Sequence, residues 1–145
     1  MGGDPLPWTH TREEAVAQVT GIGGIFFKSK QAKNLRRWYD EHLGVEPEDY
    51  GGHAFSWRQL DDPNRVGSTV WSIFPDDSTY FDPSDAGFMV NFRVDDLDGV
   101  LQRLRGAGVK VDDKIEEYEY GRFGWCFDPD GNKIELWEPL GEEGQ

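Results

Sequence analysis

Two segments of the chain share one order of hydrophobic and polar positions. In each segment, a strand-like alternation precedes a run of apolar residues at helical spacing, and further alternating strands follow. The glycines that end the two predicted helices, Gly44 and Gly108, are as far apart as the Phe74-Pro75 and Glu138-Pro139 pairs that end the two segments. The opening strands, aligned on residues 25 and 90, are one residue further apart. A spacing held over a whole segment indicates an internal duplication.

The duplication predicts an α+β fold, with tandem duplicated βαβββ modules forming a curved mixed sheet around a cleft. The length of 145 residues suits one domain with its own core. We expect an N-terminal appendage at 1–20, a single domain at 21–139 (module one 21–75, a linker at 76–87 rich in Asp and Pro, and module two 88–139), and a C-terminal tail at 140–145.

Alternation along the strands predicts which side chains face the cleft. Apolar rows such as Ile25 with Phe27 suit packing under the helices, and the opposite rows are mixed polar and aromatic. The helix-end spacing places Trp71 in module one at the position that Glu135 holds in module two. The row predicted for the concave face is therefore Gly24, Phe26, Lys28, Trp71, Met89, Asn91, Arg93, Lys133, Glu135 and Trp137.

The charge balance narrows the classes of partner. A formal net charge of −13 disfavours nucleic acid and anionic membrane surfaces, which repel an acidic protein. The single cysteine, Cys126, allows no intramolecular disulfide, and the chain shows neither a signal-peptide pattern nor a long apolar stretch. We therefore expect a cytoplasmic protein whose partner is a small organic ligand, with no nucleic acid and no membrane.

Three stretches resemble a known superfamily: the opening IFFKSKQAKNLRRWYDEHLG, the middle VNFRVDDLDGVLQRLRGAGV, and the ending CFDPDGNKIELWEP. Together with the repeat over 21–139, they look like the vicinal oxygen chelate superfamily, which includes glyoxalase I, bleomycin-resistance proteins and extradiol dioxygenases. The resemblance implies a homodimer and a small-molecule site in the cleft. It does not choose between metalloenzymes and drug-binding proteins.

Metal-dependent members of this superfamily place one ligand on the first and one on the last strand of each module, usually His or Glu. In this chain those four places fall on Gly24, Trp71, Met89 and Glu135. Only Glu135 suits a divalent cation, which needs three or four N, O or S ligands. The three histidines share no metal-type spacing. We therefore expect no metal and no cofactor.

The predicted site is a set of stacking rings with a few polar groups that orient a flat ligand. Two alternatives stay open: the rings fill the core or a dimer interface, and Glu135 pairs with Arg93 or Lys28. If any residue is catalytic, it is Glu135, because burial would raise its pKa and make it a general base. The candidate ligand-binding residues are Phe26, Phe55, Trp57, Trp71, Met89, Asn91, Arg93, Trp125 and Glu135.

Our leading hypothesis is a glyoxalase- and bleomycin-resistance-like protein that binds a flat or aromatic molecule without a metal and sequesters it. The alternative is an enzyme of the lyase, isomerase or dioxygenase type. Such an enzyme would be metal-independent with Glu135 as base, or metal-dependent through ligands that the sequence does not reveal. A third class is a structural or regulatory partner protein, whose own side chains would fill the cleft.

Overall fold

The computed structural model describes residues 17–140. The predicted N-terminal appendage lies almost wholly outside the described residues. The elements, in chain order, are β1 (Val19–Ser29), α1 (Ala32–Leu43), β2 (His53–Arg58), β3 (Val66–Pro75), β4 (Phe88–Val94), α2 (Leu97–Gly106), β5 (Glu116–Tyr118), β6 (Gly121–Phe127) and β7 (Lys133–Pro139).

The seven strands form one mixed sheet in the order β2-β3-β1-β4-β7-β6-β5. The two halves meet where β1 pairs antiparallel with β4. Each opening strand also pairs in parallel with the closing strand of its own half, β1 with β3 and β4 with β7. This repeated pairing confirms the predicted α+β fold with a duplicated unit. Two strands follow α1 and three follow α2.

The helix ends follow from local sequence. Helix α1 stops at Gly44, which adopts a left-handed φ of 71° that costs glycine no steric strain. Before α1 begins, Ser29 Oγ accepts a hydrogen bond from the Gln31 backbone N–H at 3.1 Å. In α2 the N-cap is Asp96, whose carboxylate accepts from the Gly99 N–H at 3.1 Å.

The core lies on both faces of the sheet. Under α2, the buried residues Leu97, Val100 and Leu101 pack with Val94 and Leu136 of the sheet, as the apolar rows predicted. Helix α1 buries none of its residues. A second buried cluster lies on the concave face and contains Phe26, Phe81, Met89 and Trp125.

Little regular strand forms between α2 and β6. Residues 109–117 contribute only an isolated bridge at Val111 and the start of the short β5. Residues 112–115 carry two aspartates, and Asp112 accepts from the Lys114 N–H at 2.9 Å. A side chain that bonds its own backbone in this way favours a turn over a strand ladder.

Candidate functional site

One row of residues crosses the sheet and builds the floor of a cavity. The pairing registers join Val70 to Gly24, Gly24 to Asn91, Asn91 to Glu135 and Glu135 to Trp125 on five neighbouring strands. Residues paired across a ladder point to the same face, so their side chains converge. The cavity has a volume of about 520 Å³ and is lined by Gly23, Phe26, Tyr50, Val70, Asn91, Tyr120, Phe123, Glu135 and Trp137.

Glu135 is buried, with 3% of its surface exposed, and is held by three neutral donors. Asn91 Nδ2 donates to Oε1 at 2.7 Å, and Trp125 Nε1 donates to Oε2 at 3.0 Å. The Tyr80 hydroxyl, from the connector before β4, donates to the same Oε2. Lys28 and Arg93, the ion-pair partners considered for Glu135, lie instead over the Phe81 ring and between two indoles.

The surroundings of Glu135 control its protonation. Burial raises the pKa of Glu135 above its ordinary 4.5, and the hydrogen bonds from Tyr80, Asn91 and Trp125 offset only part of that effect. Burial and the adjacent Glu135 charge also raise the pKa of the Tyr80 phenol, which therefore stays protonated. The Tyr80 hydroxyl therefore keeps the proton that it donates to Glu135.

Asn91 keeps one polar atom without a partner. Its side chain is 2% exposed, and Oδ1 has no hydrogen-bond donor among the residues that the structure describes. A Cβ at Gly23 would lie 2.2 Å from Oδ1, so the oxygen packs directly against Gly23, where only glycine fits without a shift. Oδ1 is therefore a buried acceptor that Gly23 covers.

Aromatic rings form the cavity wall. Phe123 stacks on Trp137 with the ring planes 4° apart and the centroids 5.9 Å apart. Trp137 is fixed by its Nε1–H, which donates to the Tyr120 carbonyl at 3.1 Å. Tyr120 and Tyr50 are exposed and mark the mouth of the cavity. The wall offers flat apolar faces, while the polar groups lie at the floor.

A second cavity of about 410 Å³ lies nearby and shares no lining residue with the first. It is lined by Trp57 and Arg93 together with charged residues such as Asp61, Arg65 and Glu138. The Arg93 guanidinium lies 5.2 Å from the Trp57 ring and 5.0 Å from the Trp137 ring, in cation–π contact with both.

The structure brings together only part of the predicted site. Phe26, Asn91 and Glu135 line the first cavity. Met89 and Trp125 are buried with Phe26 in the cluster behind it. Arg93 and Trp57 line the second cavity. Phe55 is 45% exposed and touches the His53 ring, and it lines neither cavity.

The predicted placement of Trp71 on the concave face is wrong. Its ring packs against Tyr39 of α1 at 4.5 Å and against Phe27 at 5.5 Å. The residue of β3 in the row of Glu135 is Val70. A slip of one residue moves a side chain to the opposite face of a strand, and the helix-end spacing carried that slip. The opening-strand spacing, one residue longer, relates Val70 to Glu135.

The candidate ligand-binding residues named from the sequence leave out Tyr80, Tyr50, Phe123 and Trp137. Tyr80 lies in the connector, where no periodic pattern predicts a direction for its side chain. Tyr50 lies in the loop between α1 and β2 and gave no such signal either. Trp137 was placed on the concave face by its alternation with Glu135 but was not among the candidate ligand-binding residues. Phe123 alternates with Trp125, so strand alternation was a usable signal for it as well.

The residues at the floor do not fit a divalent cation. Glu135 is engaged by three hydrogen-bond donors, and the indole N–H of Trp125 has no lone pair to give a metal. Met89 is fully buried among aromatic rings, and Gly24 has no side chain. Between residues 17 and 140, no three His, Cys, Asp or Glu side chains gather to hold a metal ion.

Two units, each with its opening strand paired in parallel to its closing strand and joined to the other through the opening strands, define the fold class of the chain. Within that class, the chain belongs to the Glyoxalase/Bleomycin resistance protein/Dioxygenase superfamily, whose model matches residues 22–136. A comparison with curated proteins found no match.

Solved structures share the fold. Methylmalonyl-CoA epimerase from Mycobacterium tuberculosis is 21% identical with a TM-score of 0.60, covering 88% of this chain and 93% of that one. A single-residue variant of the Streptomyces coelicolor epimerase, bound to 2-nitronate-propionyl-CoA, is 16% identical with a TM-score of 0.62, covering 86% and 100%. The Mn(II)-bound glyoxalase from Novosphingobium aromaticivorans is 19% identical with a TM-score of 0.55, covering 85% of this chain and 40% of that one.

No helix between residues 17 and 140 is long and apolar enough to cross a membrane.

Proposed function

We propose that the protein binds a small, flat organic molecule in the 520 Å³ cavity without a bound metal, and that its role is to sequester that molecule. The observation that carries this proposal is the composition of the cavity. Stacked rings form its wall, and its floor holds a carboxylate and an amide that neutral hydrogen bonds fix in place. This is the general form of a ligand pocket, apolar with a few oriented polar groups.

The size of the cavity suits a compound of one to three rings. Ligand pockets commonly enclose about 300–1,000 Å³, and this cavity lies within that range. An aromatic ligand ring in offset or edge contact with Phe123 or Trp137 gains about 0.5–1.5 kcal/mol of binding free energy in addition to the gain from burying its surface. The exposed Tyr50 and Tyr120 at the mouth leave a path for entry.

The charge of the cavity favours a ligand without an anionic group. No Lys or Arg is among its lining residues, and Glu135 contributes an acid. The epimerase structures above include one bound to a CoA ester, and CoA carries phosphate groups. In this chain the cationic side chains Arg65 and Arg93 line the second cavity instead. We therefore favour neutral aromatic ligands over CoA esters.

A fluorescence screen tests the proposal. Flat aromatic metabolites and antibiotics are titrated while tryptophan emission is recorded, because Trp137 lines the cavity and Trp125 lies behind it. A Phe123→Ala variant should bind each of these compounds more weakly. A Trp71→Phe variant is the matched control, because Trp71 packs under α1, and it should bind all compounds normally.

Two results would overturn the proposal: no compound quenches the emission, or Trp71→Phe weakens binding as much as Phe123→Ala does.

A second candidate function is proton transfer. It is favoured by the raised pKa of Glu135, a carboxylate at the cavity floor next to the protonated Tyr80 hydroxyl. The two functions differ in one readout. A sequestered ligand keeps its C–H bonds, whereas a base-catalysed reaction in heavy water replaces a hydrogen beside an activating group with deuterium. Proton NMR of each screened compound, incubated with the protein in D₂O, distinguishes them.

Assembly as a homodimer in the cytoplasm remains part of the proposal. The apolar side chains left exposed around α1, such as Trp38 at 49% and Leu43 at 62%, support a contact with another copy. Light scattering coupled to size-exclusion chromatography measures the mass directly. A mass near the 16.5 kDa of one chain would contradict the expected dimer.

A further inference from the structure

We propose that Arg93 sets the length of the ligand, because its side chain fills a slot between two indoles that a longer flat ligand would otherwise enter. This inference rests on the proposed function and adds the size of ligand that the cavity accepts. The three residues concerned are called the partition; they follow one another across the sheet in the order Trp57, Arg93 and Trp137.

The partition lies between the two cavities. Trp137 lines the first cavity, whereas Arg93 and Trp57 line the second. A Cβ at Gly23, which lines the first cavity, would lie 3.0 Å from Arg93 Cγ and 3.0 Å from Trp137 Cε3. Arg93 alternates with Asn91 along β4, so both side chains lie on the concave face. The two cavities are therefore parts of one trough that Arg93 divides.

Two glycines make room for the indoles of the partition. A Cβ at Gly67 would overlap the Trp57 ring, and a Cβ at Gly121 would overlap Trp137 Nε1. The Trp57 indole is also fixed by its N–H, which donates to Thr69 Oγ1 at 2.9 Å. Both indoles are thus held by contacts that do not involve Arg93, so they should keep their positions when the side chain between them is changed.

The slot between the indoles fits a flat group. The Arg93 guanidinium lies 5.2 Å from the Trp57 ring and 5.0 Å from the Trp137 ring, and Arg93 is 4% exposed. A guanidinium is planar and stacks on aromatic faces, as a ligand ring does. A ligand ring that replaced the guanidinium would therefore contact two indoles. While Arg93 occupies the slot, a flat ligand in the first cavity ends at Trp137.

Indole and 2-(4-pyridyl)indole are the probes for the test. The second compound is an indole extended by one flat ring, and both compounds are neutral at mildly alkaline pH. Isothermal titration calorimetry measures both affinities on the full-length protein. The quantity compared between proteins is the ratio of the pyridylindole affinity to the indole affinity.

Two variants distinguish the filled slot from the charge. Arg93→Ala empties the slot, so the ratio should rise about tenfold over that of the unmodified protein, because the added ring becomes buried between the indoles. Arg93→Met removes the charge but keeps a long side chain in the slot, so the ratio should stay within about twofold. An unchanged ratio in Arg93→Ala, or an equal rise in Arg93→Met, would refute the inference.

A crystal structure of the unmodified protein with pyridylindole decides the question if Arg93→Ala does not fold. The pyridyl ring should extend toward the mouth at Tyr50 and Tyr120. A pyridyl ring found between Trp57 and Trp137, with Arg93 displaced, would overturn the inference.

The outcomes separate the two proposals. If neither probe binds the unmodified protein at millimolar concentration, the cavity does not take flat aromatic molecules, and the proposed function fails with the inference. If indole binds and Phe123→Ala weakens it, while Arg93→Ala leaves the ratio unchanged, the proposed function stands and the role of Arg93 is refuted.

Discussion

Replacement of Glu135 by glutamine should change how the stability of the protein depends on pH. Burial raises the pKa of Glu135 in the folded state, while the unfolded chain titrates near the ordinary 4.5. Between these two values the folded state holds a proton that the unfolded state has lost, so the stability contributed by Glu135 is present below about pH 4.5 and declines as pH rises. Above the pKa of Glu135 in the folded state, the stability that Glu135 contributes no longer changes with pH.

The magnitude follows from one proton. Within the window, the free energy of unfolding of the unmodified protein should fall by about 1.4 kcal/mol per pH unit relative to that of Glu135→Gln. The other titratable groups contribute equally to the unfolding free energies of the two proteins, so their contributions cancel in the difference. Urea unfolding followed by tryptophan fluorescence, repeated from acid to neutral pH, measures both free energies.

Glu116→Gln is the control of opposite sign. The side chains of Lys114 and Tyr118 donate hydrogen bonds to Glu116 and lower its pKa, so its contribution to stability is lost as the solution becomes more acidic. The difference between the unmodified protein and Glu116→Gln should therefore rise with pH. A flat difference for Glu135→Gln, or one that rises with pH, would refute the account of a desolvated carboxylate.

Three further outcomes are expected. Tyr80→Phe removes a donor to a buried carboxylate and should lower the unfolding free energy by about 1.5–3 kcal/mol in urea, while a loss below about 0.5 kcal/mol would show that the bond contributes nothing. Leu101→Ala of α2 should lower the free energy of unfolding by about 2–5 kcal/mol, because Leu101 is buried. Leu35→Ala of α1 should lower it by only about 1 kcal/mol, because α1 buries none of its residues. Equal losses would contradict this difference between the helices. Trp57→Phe, at the second cavity, should leave the indole affinity from calorimetry within about twofold, and a tenfold loss would place the ligand there instead.

The duplicated architecture could be predicted because the same order of hydrophobic and polar positions occurs twice in the sequence. The spacing of the opening strands and of the helix ends relates the two halves, and the buried packing of Val94 and Leu136 under α2 follows from simple alternation. Such patterns report short-range periodicity, which the sequence carries directly.

The candidate site was harder to predict, because its position depends on register and on a connector. The helix-end spacing placed Trp71 in the row of Glu135, where the pairing places Val70. Tyr80 reaches Glu135 from a connector whose path no periodicity defines. The alternation that assigned Glu135 to the concave face also assigned Asn91 there, and both line the cavity.

The most direct test of the ligand site is a crystal structure of the protein grown with indole. The account predicts that indole lies in the 520 Å³ cavity with its ring against Phe123 or Trp137. Indole found beside Arg93 in the second cavity, or absent from the 520 Å³ cavity, would contradict the account.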